Sequence, residues 1–218
     1  MPGMEKRRPQ TVVYVDGFNF YYGAVKETPY KWLDLEALCR RLLPGDNIAK
    51  IRYFTARVDA REDDPQRPDR QDAYLRALAA LPLMEIQYGH FVTRAVRLPL
   101  AKPQPRESRT VEVLRTEEKG SDVNLATYLL LDACKHRCET AVVFSNDSDL
   151  AQAIEVAQSE MGIRVGVFNP HPRNRRSRRL KEVGCLFYRQ IPNRALEGSQ
   201  LPDVVYDRTG PIRKPRGW

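Results

Sequence analysis

The sequence predicts an α/β fold built on a parallel sheet, with helices on both faces of that sheet. Short apolar segments of strand character alternate with segments of helical periodicity along most of the 218 residues. This alternation is typical of β-α-β units, in which successive strands run parallel. The segment 140–144 is apolar and has the character of a central strand that is buried on both faces. Ligands of such sheets gather at the carboxyl ends of the strands.

The apolar pattern places the individual elements. The predicted strands cover 11–15, 48–58, 84–92, 140–144, 162–168 and 184–189, and a further strand is expected at 110–115. The predicted helices cover 33–43, 70–81, a segment that begins at Ser121 as its N-cap, 150–161 and the short stretch 174–181. Pro44 and Gly45 end the first of these helices.

We expect one domain over residues 11–191, preceded by a basic extension at 1–10 and followed by an extended tail at 192–218. The segment 93–109 carries three prolines and five cationic residues without apolar periodicity, which predicts a long loop. That loop is either a variable surface loop or a basic flap beside a functional site. The sequence shows neither a signal-like leader nor a membrane-spanning segment, so a cytoplasmic protein is expected.

Four aspartates fall where predicted strands end or predicted helices begin. They belong to three segments, Val15-Asp16-Gly17-Phe18-Asn19, Lys119-Gly120-Ser121-Asp122 and Ser145-Asn146-Asp147-Ser148-Asp149. Each aspartate alone could be a helix cap, a first-turn acid or a turn residue. Together at one edge of a sheet they need a common cause, because clustered carboxylates repel one another unless a cation neutralises them. The pattern therefore predicts a Mg²⁺ or Mn²⁺ site.

Basic residues suggest a polyanionic partner. The chain has 36 Lys and Arg against 28 Asp and Glu, and the excess is concentrated near residue 175. A solvated helix face would also explain this run, but beside an acidic metal cluster it favours binding to a phosphate backbone. The residues predicted to contact such a backbone are Lys119, Arg173, Arg175, Arg176, Arg178 and Arg179.

The cysteines and histidines predict no competing site. Cys134 and Cys138 flank His136, but this spacing matches no compact zinc motif and the thiols are interpreted as packing. The four cysteines lie in mostly apolar contexts, which favours reduced thiols over a disulfide framework. The three histidines lack familiar ligand spacings, which argues against a paired-histidine ribonuclease.

The three acidic segments, in this order, resemble the NYN domain, a branch of the PIN-like nucleases that includes the bacterial LabA-like proteins. The resemblance covers roughly residues 10–190. It implies a three-layer α/β/α sandwich with a central parallel sheet and metal-dependent hydrolysis of phosphodiesters, mostly in RNA. It further implies an acidic centre made of Asp16, Asp122, Asp147 and Asp149, with Asn19 and Ser145 as companions.

The residues suggest roles that agree with this resemblance. Asp16 and Asp147 are the expected direct metal ligands, while Asp122 and Asp149 complete the site directly or through water. Asn19 and Ser145 would orient ligands or water by hydrogen bonds. The expected reaction is in-line attack of a metal-activated water on phosphorus. The alternative is a catalytically silent RNA-binding or regulatory module of the same fold, and a homodimer is a further possibility.

Overall fold

A computed structural model describes residues 8–102 and 109–218 of the chain. Its centre is a sheet of six parallel strands in the order β3-β2-β1-β6-β7-β8. These strands are β1 (Gln10–Asp16), β2 (Asn47–Thr55), β3 (Met84–Tyr88), β6 (Thr140–Phe144), β7 (Arg164–Asn169) and β8 (Phe187–Gln190). The predicted fold class is thus confirmed, since helices flank this sheet as in a PIN-like α/β sandwich.

The helices cover the two faces of the sheet. They are α1 (Gly17–Phe20), α2 (Leu35–Leu42), α3 (Arg67–Ala79), α4 (Ser121–Cys134), α5 (Ala151–Ser159), α6 (Arg178–Glu182) and α7 (Asn193–Glu197). Strand alternation divides the core, because Val13 and Val15 of β1 pack with α2 and α3 on one face. Val12 and Tyr14 pack with α4 and α5 on the other face. Each helix therefore buries its apolar side against the sheet.

A network of charges is buried between α4 and the sheet. Asp132 is fully buried and accepts hydrogen bonds from the Arg52 guanidinium at 2.8 and 3.1 Å and from the Tyr14 hydroxyl at 2.9 Å. Arg52 also pairs with Glu85, and Arg137 donates to Asp132 at 3.0 Å. Burial by itself would raise the pKa of Asp132. The hydrogen bonds from Arg52, Arg137 and Tyr14 and the charge of Arg52 outweigh burial and lower this pKa. Burial and the nearby acid raise the pKa of Tyr14.

Residues 93–99 of the segment predicted as a long loop form part of a strand, which corrects the sequence-based expectation for that stretch. Strand β4 (His90–Pro99) pairs antiparallel with β5 (Thr110–Lys119) in a ribbon separate from the central sheet. The absence of apolar periodicity misled the prediction, because both faces of the ribbon are largely exposed and need no alternation. Residues 103–108, which also belong to the predicted loop, lie outside the described part of the chain.

The segment predicted as an extended tail is folded onto the domain. Helix α7 and an antiparallel hairpin of β9 (Val204–Asp207) and β10 (Gly210–Arg213) occupy it. Leu201 and Ile212 pack with the fully buried Trp32. Few apolar residues lie in this segment, so composition predicted extension, but each of these contacts fixes the chain to the core.

The cysteines are unpaired, as expected for reduced thiols, although not all of them are core residues. Cys39 and Cys138 are buried, whereas Cys134 is exposed where α4 ends. Burial raises the pKa of the Cys39 thiol above its usual value, so this group packs as an apolar side chain. Among the described residues, no helix is long and apolar enough to cross a bilayer.

The buried charge network predicts a large cost for Asp132→Asn. The substitution leaves the Arg52 guanidinium, whose side chain is 4% exposed, without its buried carboxylate partner and with only the partly exposed Glu85, and should lower the free energy of unfolding by about 3 kcal/mol. Urea denaturation measures this loss. The matched control is Asp72→Asn, which removes an ion pair with exposed Arg57 and should cost at most about 1 kcal/mol. Equal losses for both variants would contradict the assignment.

Candidate metal centre

Asp16 is the buried member of the predicted acidic site. It ends β1 and caps α1, where its Oδ1 accepts a hydrogen bond of 3.0 Å from the backbone N–H of Asn19. Its Oδ2 accepts a bond of 2.9 Å from the hydroxyl of Ser145, which follows β6. Because β1 and β6 are neighbouring parallel strands, their carboxyl ends bring Asp16 and Ser145 together. Only 4% of Asp16 is exposed.

Gly17 permits the turn that carries Asp16. A Cβ atom at this position would lie 2.6 Å from the backbone oxygen of Phe54 and 2.8 Å from the ring of Tyr53. Real Cβ contacts are not that short, and a backbone oxygen of β2 cannot move easily. The residue after Asp16 must therefore lack a side chain for α1 to start this close to β2.

Asp147 reaches the site from the loop after β6. Its backbone N–H donates to the Ser145 hydroxyl at 3.0 Å, and its own Oδ1 accepts from the N–H of Asp149 at 3.0 Å. The Asn19 side chain holds the same loop, since its Oδ1 accepts from the N–H of Asn146 at 3.0 Å. Ser145 and Asn19 thus connect the ends of β1 and β6.

Asp122 reaches the site from the first turn of α4. Gly120 precedes this helix with a φ of +100°, a conformation that suits glycine. The Glu118 carboxylate accepts bonds from the Ser121 N–H at 3.1 Å and from its hydroxyl at 2.8 Å. Gly120 is thus the N-cap residue, while Ser121, which the sequence suggested for this position, is the first residue of the helix. The Glu118 bonds satisfy a first-turn N–H and bring a further acid beside Asp122.

The three aspartates form one cluster in an open cleft of about 300 Å³. Asp16, Asp122 and Asp147 each offer a carboxylate oxygen, and these oxygens lie within 4.8 Å of one another. Burial first, and then the neighbouring carboxylates Asp122 and Asp147, raise the pKa of Asp16 to about 7, against the opposing hydrogen bonds. Burial and the charges of Asp147, Glu118 and Asp149 raise the pKa of Asp122 to about 6.

These observations fit a hard divalent cation. An all-oxygen donor set in a cleft that admits water suits Mg²⁺ or Mn²⁺. The raised pKa values indicate carboxylates that lack a positive partner, and a bound cation would supply it. Asp16, Asp122 and Asp147 are the residues that would hold such an ion.

The other predicted site residues lie around this cluster. Asp149 is exposed and is absent from the close set of three, although its charge acts on Asp122. Ser145 and Asn19 take the expected orienting positions. Lys119 ends β5, and its ammonium group pairs with Glu117 at 2.9 Å.

The arginine-rich segment is tied to the rim of the site. The Asn146 side chain donates to the carbonyl oxygen of Arg175 at 2.6 Å and accepts from the N–H of Ser177 at 2.8 Å. Some of these arginines have partners, since Arg178 pairs with Glu182 and Arg176 lies 5.9 Å above the Tyr188 ring. Arg179 approaches Glu155 at 3.7 Å, while Arg173 and Arg175 have no carboxylate within 4 Å among the described residues.

Sequence reasoning missed several residues that line the cleft. Glu118, Arg61, Arg67 and Phe91 face it from three different segments. Glu118 adjoins the Lys119-Gly120-Ser121-Asp122 segment and could have been noticed there. No sequence pattern marks Arg61 and Arg67 as residues of the cleft. They lie in a charged loop and at the start of α3, far along the chain from any aspartate of the cluster.

The raised pKa of Asp16 predicts that metal-free protein loses stability as the pH rises. The folded state keeps a proton on Asp16 that the unfolded chain releases near its ordinary pKa of 3.8. The stability that this bound proton gives to the folded state is therefore complete below about pH 4 and is lost as the pH rises through about 7. The Asp16→Asn variant has no carboxylate at this position and so does not lose stability in this way. With a chelator present at about pH 8, its free energy of unfolding should exceed that of wild type by about 2 to 4 kcal/mol. Urea denaturation across this range measures the difference, and parallel curves for the two proteins would contradict it.

The geometry also predicts unequal effects of the aspartates on metal affinity. Asp122→Asn removes a member of the close cluster and should raise the Kd for Mn²⁺ at least about tenfold. Asp149→Asn should change it by less than about threefold, because that side chain stands outside the cluster. Calorimetric titration with Mn²⁺ measures both, with exposed Asp203→Asn as the control. A larger effect of Asp149→Asn than of Asp122→Asn would make Asp149 a ligand.

Comparison with known proteins agrees with the fold and identifies the family. A protein of unknown function from Vibrio parahaemolyticus RIMD 2210633 superposes with a TM-score of 0.54 at 14% identity, covering 91% of this chain and 100% of that one. A 6-hydroxy-3-succinoylpyridine 3-monooxygenase from Pseudomonas putida (strain DSM 28022 / S16) is 32% identical in an alignment 237 residues long, which covers 96% of this chain and 75% of that protein. A family model described as NYN domain matches residues 10–184. The resemblance inferred from the three acidic segments is confirmed, and the chain belongs to the NYN domain family.

Proposed function

We propose that this protein is a metal-dependent ribonuclease. The observation that carries the proposal is the convergence of Asp16, Asp122 and Asp147, from β1, α4 and the loop after β6, in a cleft open to solvent. Membership of the NYN domain family supports the same reading. A purely structural origin of the cluster is disfavoured, because two of its carboxylates carry raised pKa values and so weaken the metal-free fold at neutral pH.

Each residue of the site has a distinct task in this proposal. A bound Mg²⁺ or Mn²⁺ would polarise a phosphodiester and lower the pKa of a water molecule. The three clustered aspartates hold that ion and neutralise its charge. The Ser145 hydroxyl fixes Asp16 and the Asp147 loop at once, with bonds of 2.9 and 3.0 Å. Asn19 fixes the loop from the opposite side, so the ligands stay in position when the cleft fills.

RNA is the proposed substrate because cationic residues border the acidic cleft. Arg173 and Arg175 lie on the segment that Asn146 ties to the site, and neither forms an ion pair in the described part of the chain. Free guanidinium groups suit phosphate oxygens, which they bind in pairs of hydrogen bonds. The net charge of +8 would further draw a polyanion to the protein. Lys119, Arg176, Arg178 and Arg179 belong to the same proposed backbone contact, although several have internal partners.

A second candidate function is oxygenation of a substituted pyridine. It is favoured by the relative from Pseudomonas putida, whose name is 6-hydroxy-3-succinoylpyridine 3-monooxygenase and which matches nearly the whole of this chain. A monooxygenase places one atom of O₂ in its substrate and reduces the other to water, so it needs an electron donor. Oxygen uptake with 6-hydroxy-3-succinoylpyridine and a reduced nicotinamide tests this activity directly.

The ribonuclease proposal predicts that Asp147→Asn abolishes RNA cleavage. Loss of one metal-binding carboxylate should lower the rate on labelled single-stranded or structured RNA by about 100-fold or more, because the ion loses both charge and position. A chelator should have the same effect, and Mn²⁺ or Mg²⁺ should reverse it. The matched control Asp203→Asn removes an exposed carboxylate outside the cleft and should cleave like wild type.

Two results would overturn this function. If wild type binds RNA but leaves it intact with either metal, the protein is a binding or regulatory module of the same fold. If RNA stays intact while the pyridine consumes oxygen, the second candidate replaces the first. Cleavage that Asp147→Asn fails to remove would point to a contaminating nuclease.

A further inference from the structure

A larger cavity, of about 530 Å³, adjoins the acidic cleft on the side of α1 and α3. Four side chains, those of Phe18, Tyr22, Arg61 and Arg67, line both the cavity and the cleft. A ligand that fills the cavity would therefore extend to the edge of the metal centre. We call this cavity the aromatic pocket.

Rings form much of the wall of the aromatic pocket. Tyr21 and Tyr22 meet edge to face at 5.2 Å between ring centroids, in a turn of π-helix (Tyr21–Val25) that follows α1. Trp218 closes the far side, with its ring 5.6 Å from that of Tyr74. Turns of π-helix are frequent at functional sites. Such walls suit a flat aromatic ligand, which gains both apolar burial and stacking.

The aromatic pocket is also cationic where it meets the cleft. Arg67 and Arg61 form no ion pair within 4 Å among the described residues, although the charges of both act on Asp64, whose direct partner is Arg70 at 2.5 Å. Arg67 is the first residue of α3, where the helix dipole disfavours a positive charge. Helix stability therefore does not explain why a positive charge lies at this position. An anion bound at the junction of the two cavities would explain it.

Some acids also line the aromatic pocket and define where an anion fits. Glu27 approaches Lys26 at 3.7 Å, and Asp64 is held by Arg70. Asp63 belongs to the same loop as Arg61. The favourable place for an anion is the Arg67 end, which leaves the ring of the ligand between Tyr22 and Trp218.

We propose that the aromatic pocket binds one nucleotide of a single strand, with the base among the tyrosine and tryptophan rings and its phosphate at Arg67. This proposal rests on the proposed ribonuclease function and adds the substrate class, an unpaired nucleotide next to the cleaved bond. Stacking on aromatic side chains accepts any base, because every base has a π face. An unpaired base suits this pocket best, since a paired base would first have to be unstacked and flipped out of its helix, which costs free energy.

Calorimetric titration of the full chain, with chelator present and no metal, tests the aromatic pocket apart from cleavage. The probes are uridine 5′-monophosphate, ribose 5-phosphate without a base, uridine without a phosphate, and pyridine-3-carboxylate. The nucleotide should bind at least about tenfold tighter than either fragment, because each fragment lacks one of the two contacts. Arg67→Gln and Tyr22→Ala should each weaken it about tenfold.

Matched variants control for surface charge and for loss of a ring. Arg57→Gln removes an exposed guanidinium, and Tyr206→Ala removes an exposed ring, both outside the two cavities. Both should bind the nucleotide like wild type. Because Tyr22 is 48% exposed, its removal leaves the core intact, and circular dichroism of each variant checks this.

The outcomes separate the aromatic pocket from the catalytic proposal. Equal binding of nucleotide and ribose 5-phosphate, or no effect of Arg67→Gln, would overturn the nucleotide site even if the protein cleaves RNA. Tighter binding of pyridine-3-carboxylate than of the nucleotide would overturn it in favour of a small aromatic acid. Nucleotide binding that depends on Arg67 and Tyr22, in a protein that fails to cleave RNA, would keep the site and remove the nuclease.

Discussion

The parallel pairing of β1 between β2 and β6 is the constraint on which the site depends. The register sets Val15 opposite Phe144, so Asp16 and Ser145 leave adjacent strands at the same level. Their hydrogen bond of 2.9 Å then joins two segments that are far apart in the chain. On the other side of β1, the backbone of β2 approaches so closely that Gly17 is required. The acidic cluster follows from these contacts, because α4 and the loop after β6 need only add their carboxylates.

The cluster of carboxylates opposes folding, and the surrounding bonds hold it together. Burial and mutual repulsion raise the pKa of Asp16 and Asp122, which means that each ionised carboxylate is less stable here than in water. Ser145, Asn19 and the backbone N–H groups supply donors that keep the loops in place. The charge network around Asp132 and Arg52 is different, since each acid there faces a cation. The acids of the cleft have no ion pair within the described part of the chain, which is the condition expected of a site that receives a cation.

The two cavities divide the site into an acidic part and an aromatic, cationic part. The acidic part comes from strand ends, where the sheet fixes positions closely. The aromatic part comes from α1, the π-helical turn, α3 and the end of the chain, which meet only after the sheet has formed. Phe18 and Tyr22 border both parts. A ligand that spans them would present its reacting group to Asp16 and its ring to Trp218.

The sequence by itself determined the sheet, most of its helices and the place of the three acidic segments. Strand burial and helix periodicity are local patterns, and the aspartates lie where these patterns end or begin. It failed for most of β4, whose exposed faces produce no apolar pattern, and for the C-terminal segment, whose few apolar residues gave no hint of their partner Trp32, whereas the strand expected at 110–115 is the first part of β5. Only the tertiary structure decided that Asp149 stands outside the close cluster and that Arg61, Arg67 and Trp218 stand beside the site. Those positions depend on contacts between distant segments, and such contacts leave no periodic trace in the chain.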